Sequence, residues 1–315
     1  MSSSLTNQHI LSVDQFNQSI IQDLFSLTEQ MKLYKQNKQI RTVLNGYVLG
    51  NLFFEASTRS RMSFTSAFLY LGGQVNHTTG VTFSSISKGE TLEDTINVIQ
   101  SYCDVIVLRH SELGTAKKAS QVSRVPVINA GDGIGEHPTQ ALLDLYTIFD
   151  EKKQLDNLTI TMVGDLKHGR TVHSLARLLC LQKNIRFIFA APQIVQMPEA
   201  IVSDIKSHGF QVELTDDFNA AISEADVIYS TRIQRERYEN PSDYETFDGL
   251  FTLTKEKINH YCKPDVTVMH PLPRTNEIKL DVDALPGAAY FRQAANGLYV
   301  RMALFCSVLG KEING

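Results

Sequence analysis

No apolar run in the sequence is long enough to cross a bilayer as a helix, which argues against a membrane-spanning helical protein. The opening residues, Met1-Ser2-Ser3-Ser4-Leu5-Thr6-Asn7-Gln8, have neither a basic start nor an apolar core, so no secretory leader is expected and the cytoplasm is the expected compartment. Cysteine is sparse. Cys103, Cys180, Cys262 and Cys306 stand far apart, without a Cys-x-x-Cys pair, each in or beside an apolar segment. That pattern fits buried reduced thiols and speaks against zinc ligands or a disulfide framework. There is no dense block of Lys and Arg, and the net charge is -4, which leaves no electrostatic footprint for nucleic acid. Internal repeats and low-complexity segments are also missing. What remains is a globular chain of 315 residues, 43% hydrophobic, with material for two cores and hence two domains.

The most informative stretch is Phe53-Phe54-Glu55-Ala56-Ser57-Thr58-Arg59-Ser60-Arg61-Met62-Ser63-Phe64. It follows the apolar run Tyr47 to Leu52 and opens a helical pattern of Met62, Phe64, Ala67, Phe68 and Leu71, which predicts a strand-to-helix turn. The first N–H groups of a helix have no partners inside it, and the aligned peptide dipoles make that end electropositive, so an anion is favoured there. Ser57, Thr58 and Ser60 add hydroxyls, and Arg59 and Arg61 add guanidinium forks that grip phosphate oxygens in pairs. Two readings stand on these residues: a phosphate pocket without P-loop glycines, or a plain Ser/Thr cap with its arginines in solvent.

Upstream, Ser12-Val13-Asp14 predicts a helix start, with Phe16, Ile20, Ile21, Leu24, Leu27 and Met31 along one apolar face. Downstream, Gly72-Gly73 predicts a helix C-cap and Gln74 to His77 a short strand. The polar loop Thr82 to Glu90, with Lys88, reads locally as surface and leads into a helix from Thr91 to Ser101. Asp104 to Leu108 is a buried strand with Arg109-His110 at its carboxyl end, where open α/β sheets bind ligands. After the strand Val125 to Ala130, three glycines between Gly131 and Glu136 let the backbone turn sharply, and His137-Pro138-Thr139-Gln140 opens a helix to Glu151. His137 and Gln140 would project from that helix start near the same sheet edge as Ser57 and Arg109; a structural and a substrate-touching His137 are equally open.

The polar stretch Lys152 to Asn157 marks the entry to a second domain. Strands and helices then alternate: Leu158 to Val163, Thr171 to Lys183, Ile185 to Ala190, Glu199 to His208, Val212 to Leu214, Phe218 to Ala225, Val227 to Ser230. Alternation of this kind predicts a parallel sheet with helices on both faces. The expected fold is therefore α/β in two domains, each a parallel sheet flanked by helices, over residues 1–150 and 151–290. The apolar helix Ala294 to Leu309, within 291–315, is expected to pack back on the first domain.

The turn Val163 to His173 lacks the second glycine of G-x-G-x-x-G, where Leu166 stands, so a nicotinamide cofactor is not expected. His168 and His173 are too loosely spaced to face one metal from one helix, and no metal is expected. Arg170 sits where a strand gives way to a helix, a place suited to a carboxylate. Thr231 to Arg237 begins a polar loop reaching about Gly249, either mobile surface or a substrate lid, in which Arg232 and Gln234 share one side if extended. The last strand, Val266 to Met269, ends in His270-Pro271-Leu272-Pro273-Arg274, whose prolines fix the backbone and leave carbonyls as rigid acceptors.

In this order, Phe54 to Arg61, Lys88 to Thr91, Val107 to His110, His137 to Gln140, Gly164 to Arg170, Thr231 to Gln234 and His270 to Arg274 resemble the aspartate carbamoyltransferase family over essentially the whole chain. The resemblance implies a first domain that binds carbamoyl phosphate and a second that binds L-aspartate, without a cofactor. It implies that Ser57, Thr58, Arg59 and Ser60 hold the phosphate with Arg109. Thr58, Arg109 and His137 would polarise the carbamoyl carbonyl, and Gln140 would hold the amide. Ser60 departs from the family's more usual threonine and keeps the hydroxyl. Arg170, Arg232 and Gln234 would bind the aspartate carboxylates, and the backbone of Pro271 and Leu272 would receive the amine and carbamoyl N–H groups. Lys88 and Ser84, or its neighbour Ser85, would come from an adjacent subunit of a homotrimer. Arg235, Glu236, Arg237 and Tyr244 resemble the switching loop of the bacterial form that joins zinc-bearing regulatory chains, which makes an allosteric assembly an expectation. Glu55 would pair with Arg170 and Arg237 on domain closure.

Three alternatives compete. An ornithine carbamoyltransferase resembles the phosphate half, but it carries a cysteine where this chain has Pro271 and lacks the Arg232/Gln234 pair. A non-catalytic paralogue acting as a binding subunit would be marked by loss of phosphate or carbonyl contacts, yet Ser57, Thr58, Arg59, Lys88, Arg109 and His137 are all present. A dinucleotide-dependent oxidoreductase lacks its glycine fingerprint.

Overall fold

The computed structural model of the chain describes residues 4–37, 42–80, 88–234 and 249–312. They divide into two compact units, Met1–Leu142 with Asn296–Gly315, and Leu143–Ala295.

In the first unit, strands β1 (Val48–Phe53), β2 (Gln74–Thr79), β3 (Val105–His110) and β4 (Val127–Asp132) form a parallel sheet in the order β2-β1-β3-β4. Val105 to Leu108 are each at most 1% exposed. Such a continuous apolar run is what a parallel strand covered on both faces demands. The helices of this unit are α1 (Gln18–Asn37), α2 (Thr58–Tyr70), α3 (Leu92–Ile99), α4 (Thr115–Val122) and the start of α5 (Pro138–Lys152). Leu52, Phe54, Ile96, Ile106, Leu108, Ala119 and Val127 make one core, to which α3 and α4 contribute.

The second unit has β5 (Thr159–Val163), β6 (Arg186–Ala190), β7 (Gln211–Thr215), β8 (Val227–Ser230) and β9 (Thr267–Met269), parallel in the order β7-β6-β5-β8-β9. Helices α6 (Arg170–Leu179), α7 (Glu199–Ser207), α8 (Phe218–Ser223) and α9 (Lys255–Tyr261) accompany it. Ile188, Ile222, Ile228, Leu253, Val268, Ile278 and Tyr290 share its core. The edge strand β7 keeps Gln211 and Glu213 exposed, as expected of a strand with one unpaired side.

Helix α10 (Tyr290–Val308) closes the chain. Its Phe305 stands edge-on to Phe64 and Phe68 of α2, with ring centroids 5.9 and 4.9 Å apart, inside the first unit. Asn7 N–H donates to the Val308 carbonyl at 2.8 Å, so the two ends of the chain meet. The division between units passes inside α5 and α10, because α5 continues past Leu142 with side chains bonded in the second unit. There the buried Asp144 carboxylate accepts from Tyr229 Oη at 2.7 Å and Gln293 Nε2 at 2.6 Å. The polar stretch Lys152 to Asn157 lies at the end of α5.

Ser12 starts a single 3-10 turn, Val13–Gln15, and not the long helix expected from it. Glu136 accounts for the difference: its carboxylate accepts Ser12 Oγ at 2.7 Å and Val13 N–H at 2.9 Å, which pins the turn. Phe16 is extended, and Asn17 Oδ1 accepts Ile20 N–H to open α1. Helices α4 and α9 were not anticipated from the sequence; α9 is capped by Thr254 Oγ1, which accepts Lys257 N–H. All four cysteines are free thiols, two buried and two half-buried. Burial pushes Cys103 and Cys262 up to about 11, and Cys180 and Cys306 to about 12.

Removing the Phe305 ring leaves a cavity between α2 and α10. Phe305→Ala is expected to cost about 3–5 kcal/mol in urea unfolding; a loss under about 1 kcal/mol would place Phe305 outside the core.

Candidate active site

In each sheet the chain winds away from one strand in opposite directions: β1 lies between β2 and β3, and β5 between β6 and β8. At such a switch point the loops leaving the carboxyl ends separate and open a crevice suited to a ligand. Arg59, Arg109, Arg170 and Arg232, singled out from the sequence, fall at these two places.

At the first, Phe53 pairs in register with Arg109, and Phe54 N–H donates to the Arg109 carbonyl at 2.9 Å, so the turn after β1 lies against the end of β3. Ser57 occupies the N-cap position of α2 with an extended backbone, yet its hydroxyl caps none of the helix N–H groups. The plain-cap reading of Ser57 therefore fails. Thr58 and Arg59 open α2 and are exposed, and Ser60 is half-buried.

Arg109 is only 9% exposed. Its Nη1 donates to the Ala130 carbonyl at 3.2 Å, and its Nη2 lies 3.0 Å from Glu55 Oε2. Glu55 is thus a partner of a buried cation, a pairing the sequence did not suggest. Burial pushes the neighbouring His110 imidazole below its ordinary value, against the opposing pull of Glu112 and Glu55.

His137 is 4% exposed and precedes α5; its carbonyl accepts from Gln140 and Ala141 N–H, the bonding of a helix start. The loop before it is built on side chains that satisfy backbone. Asp132 accepts Gly114 N–H and Glu136 N–H, and Asn129 accepts Gly131 N–H while donating to the Leu11 carbonyl. Gly133, at φ +53°, has no room for a Cβ, which would meet the Ser111 carbonyl oxygen at 2.7 Å. Lys88 is exposed; Ser84 and Ser85 lie outside the described residues.

At the second place, Gly164 follows β5 at φ +109°, and a Cβ there would stand 2.1 Å from the Thr231 carbonyl oxygen. Only glycine lets the β5 and β8 ends approach so closely. Asp165, fully buried, accepts His168 N–H at 3.1 Å and Gln234 N–H at 3.2 Å. Gln234 Nε2 in turn donates to the His168 carbonyl at 2.8 Å. Arg170 is the first residue of α6, behind Gly169, whose position offers no capping side chain. Arg232 Nη1 donates to the Ile233 carbonyl at 3.1 Å. Pro271 and Leu272 follow β9 and are half-buried, with Leu272 at φ +56° and a cis bond to Pro273. A left-handed conformation costs a non-glycine residue about 1–2 kcal/mol.

The second unit thus gathers Arg170, Arg232, Gln234, Pro271 and Leu272 at the carboxyl ends of β5, β8 and β9. The first gathers Ser57 to Ser60, Arg109, His137 and Gln140 at those of β1, β3 and β4. Arg235, Glu236, Arg237 and Tyr244 lie outside the described residues. Sequence reading overlooked Asp165, although a carboxylate directly after a buried run is the same signal that marked Arg109.

Comparison with known proteins gives a consistent picture. Residues 8–150 match the family model "Aspartate/ornithine carbamoyltransferase, carbamoyl-P binding domain", and residues 156–308 match "Aspartate/ornithine carbamoyltransferase, Asp/Orn binding domain". The aspartate carbamoyltransferase catalytic subunit of Cellvibrio japonicus is 46% identical, over 97% of this chain and 93% of that one. The multifunctional protein CAD of Squalus acanthias is 48% identical over 96% of this chain, which corresponds to 13% of that protein. Among solved structures, aspartate transcarbamoylase from Trypanosoma cruzi in complex with N-(phosphonacetyl)-L-aspartic acid superimposes with a TM-score of 0.93, at 39% identity, covering 98% of this chain and 97% of that one.

His173, on α6, lies 2.7 Å from the Leu166 carbonyl through Nε2, and burial pushes its imidazole below the ordinary 6.5. The folded state therefore binds fewer protons there than the unfolded one, so the stability from this group is full above 6.5 and is lost as pH falls through the folded value. His173→Gln keeps a donor near Nε2 without titrating. Its thermal midpoint is expected to fall less between pH 7 and pH 5 than that of the unsubstituted chain; parallel curves would show that another group sets the slope.

Proposed function

The chain belongs to the aspartate/ornithine carbamoyltransferase family, and from that premise we propose how its two units divide the labour. It is an enzyme that transfers the carbamoyl group of carbamoyl phosphate to the amine of L-aspartate, giving N-carbamoyl-L-aspartate and phosphate in pyrimidine biosynthesis. The observation that carries the assignment of roles is the placing of a separate cationic set at the switch point of each sheet.

The first unit is the carbamoyl phosphate side. The N-terminus of α2, with Ser57, Thr58, Arg59 and Ser60, holds the phosphate together with Arg109. Thr58, Arg109 and His137 face the carbonyl oxygen, and Gln140 holds the amide. The second unit is the aspartate side, where Arg170, Arg232 and Gln234 take the carboxylates. Two arginines suit a dicarboxylate and repel the cationic side chain of ornithine; Pro271, where the ornithine enzymes have cysteine, agrees with this choice.

The neutral amine of aspartate attacks the carbamoyl carbon, and the carbonyl oxygen gains negative charge that fixed donors meet. The bond to the phosphate oxygen breaks, phosphate departs, and the amine proton passes to it. Most of the acceleration comes from positioning and from preorganised charge. His137 serves as a donor to the oxyanion, because the departing phosphate is the nearer base. The chemistry calls for neither metal nor cofactor. Lys88 and Ser84 reach the site from a neighbouring subunit of a homotrimer, zinc-bearing regulatory chains are a further partner, and the enzyme works in the cytoplasm.

The purified chain is expected to form carbamoyl aspartate from carbamoyl phosphate and aspartate and to give no product with ornithine; turnover with ornithine would reverse the substrate assignment. Arg59→Ala is expected to lower kcat about 10²–10³-fold or more. Arg232→Ala should act mainly through the KM for aspartate, raising it about 10–100-fold, the worth of a charge-assisted contact. Full activity of the Arg59 variant would remove the phosphate assignment, and light scattering on the eluted peak checks the trimer.

A further inference from the structure

The backbone after β9 is set by a side chain to which no role has been assigned. His270, 1% exposed, accepts the Leu272 N–H on its ring Nδ1 at 2.8 Å, and its Nε2 lies 2.7 Å from Glu277 Oε1. A ring nitrogen accepts a hydrogen bond only when it carries no proton. The imidazole is therefore neutral, with its hydrogen on Nε2 and donated to Glu277. Glu277 also accepts Thr275 N–H at 3.1 Å and Thr275 Oγ1 at 2.8 Å. The His270 backbone is tied as well: its N–H donates to Gln293 Oε1 at 2.8 Å, and Gln293 Nε2 reaches the buried Asp144.

Leu272 stands at φ +56°. A β-carbon in that region is strained and persists where its surroundings over-determine it. The hold of the imidazole on the Leu272 N–H helps to supply that determination; it fixes the peptide plane that carries the Pro271 carbonyl, and the Leu272 carbonyl follows one residue on.

We propose that His270 is a positioning residue for the amino-acid substrate: a neutral acceptor, oriented by Glu277, that clamps the Leu272 N–H and so aims the Pro271 and Leu272 carbonyls. The proposal rests on the reading of those carbonyls as acceptors for the aspartate amine and the carbamoyl N–H. Its effect is felt through aspartate and leaves carbamoyl phosphate binding alone, since every link in the chain belongs to the second unit.

Two near-isosteric variants separate the ring nitrogens. In His270→Asn the side-chain oxygen takes the place of Nδ1 and can still accept from Leu272. In His270→Gln the amide takes the place of Nε2 and keeps the Glu277 contact alone. H270Q is expected to lower kcat/KM for aspartate about 10–100-fold with the carbamoyl phosphate KM within about twofold, whereas H270N stays within about threefold of the unsubstituted chain. In parallel, ¹⁵N shifts of the unsubstituted chain should report an unprotonated His270 Nδ1 between pH 6 and 8. Equal losses in both variants, or a larger loss in H270N, overturn the proposal, and so does a protonated Nδ1, which decides the matter even if H270Q fails to fold. Should Nδ1 be unprotonated while neither variant alters aspartate kinetics, the clamp exists but its carbonyls do not hold aspartate. The proposal then falls through the reading beneath it.

Discussion

A parallel strand covered on both faces tolerates no charge along its length, because an ion buried there loses its hydration without recovering it. Arg109, Arg170 and Arg232 accordingly stand at or beyond the carboxyl ends of β3, β5 and β8. β3 shows the rule within one element: Val105 to Leu108 are sealed from solvent, and Arg109 follows at once. Even at the end, Arg109 is nearly buried, and a guanidinium so placed persists because Glu55 and the Ala130 carbonyl meet it. Arg109 is thus held preformed, with the cost of desolvation already met by the fold.

The same constraint explains why the turns at these ends are furnished with side chains that serve the backbone. Asp132, Asn129 and Asp165 spend their oxygens on N–H groups of neighbouring turns. Loops that leave a sheet lack a regular ladder of hydrogen bonds, so part of the buried backbone there is satisfied by short polar side chains. The result is a set of site loops fixed from beneath. His137 follows one such support and Gln234 is held by another, and neither support makes contact with substrate in the proposed scheme.

Much of this was legible beforehand. The alternation of apolar runs and helical periods predicted two parallel sheets, and the abrupt arrival of Arg109 and Arg232 marked the carboxyl ends of β3 and β8. Other features were written in distances along the chain that sequence cannot supply. The pairing of Glu55 with Arg109 depends on the register of β1 against β3, which puts Phe53 opposite Arg109. The break before α1 depends on Glu136, over a hundred residues away, taking the Ser12 hydroxyl and the Val13 N–H. Helix α4 was missed because Ala116 and Ala119 carry too little apolar surface to announce a face, although both are buried. Helix α9 is short, seven residues, and its signal was a single threonine cap.

The hydrogen bond between Asn7 and Val308 has a wider meaning. The chain passes from the first unit to the second within α5 and returns within α10, and a polypeptide joined upstream or downstream would enter and leave through the same patch of the first unit. Such a module can be strung as one bead in a longer chain without rerouting its backbone. In the Squalus acanthias relative the matching stretch is 13% of the whole.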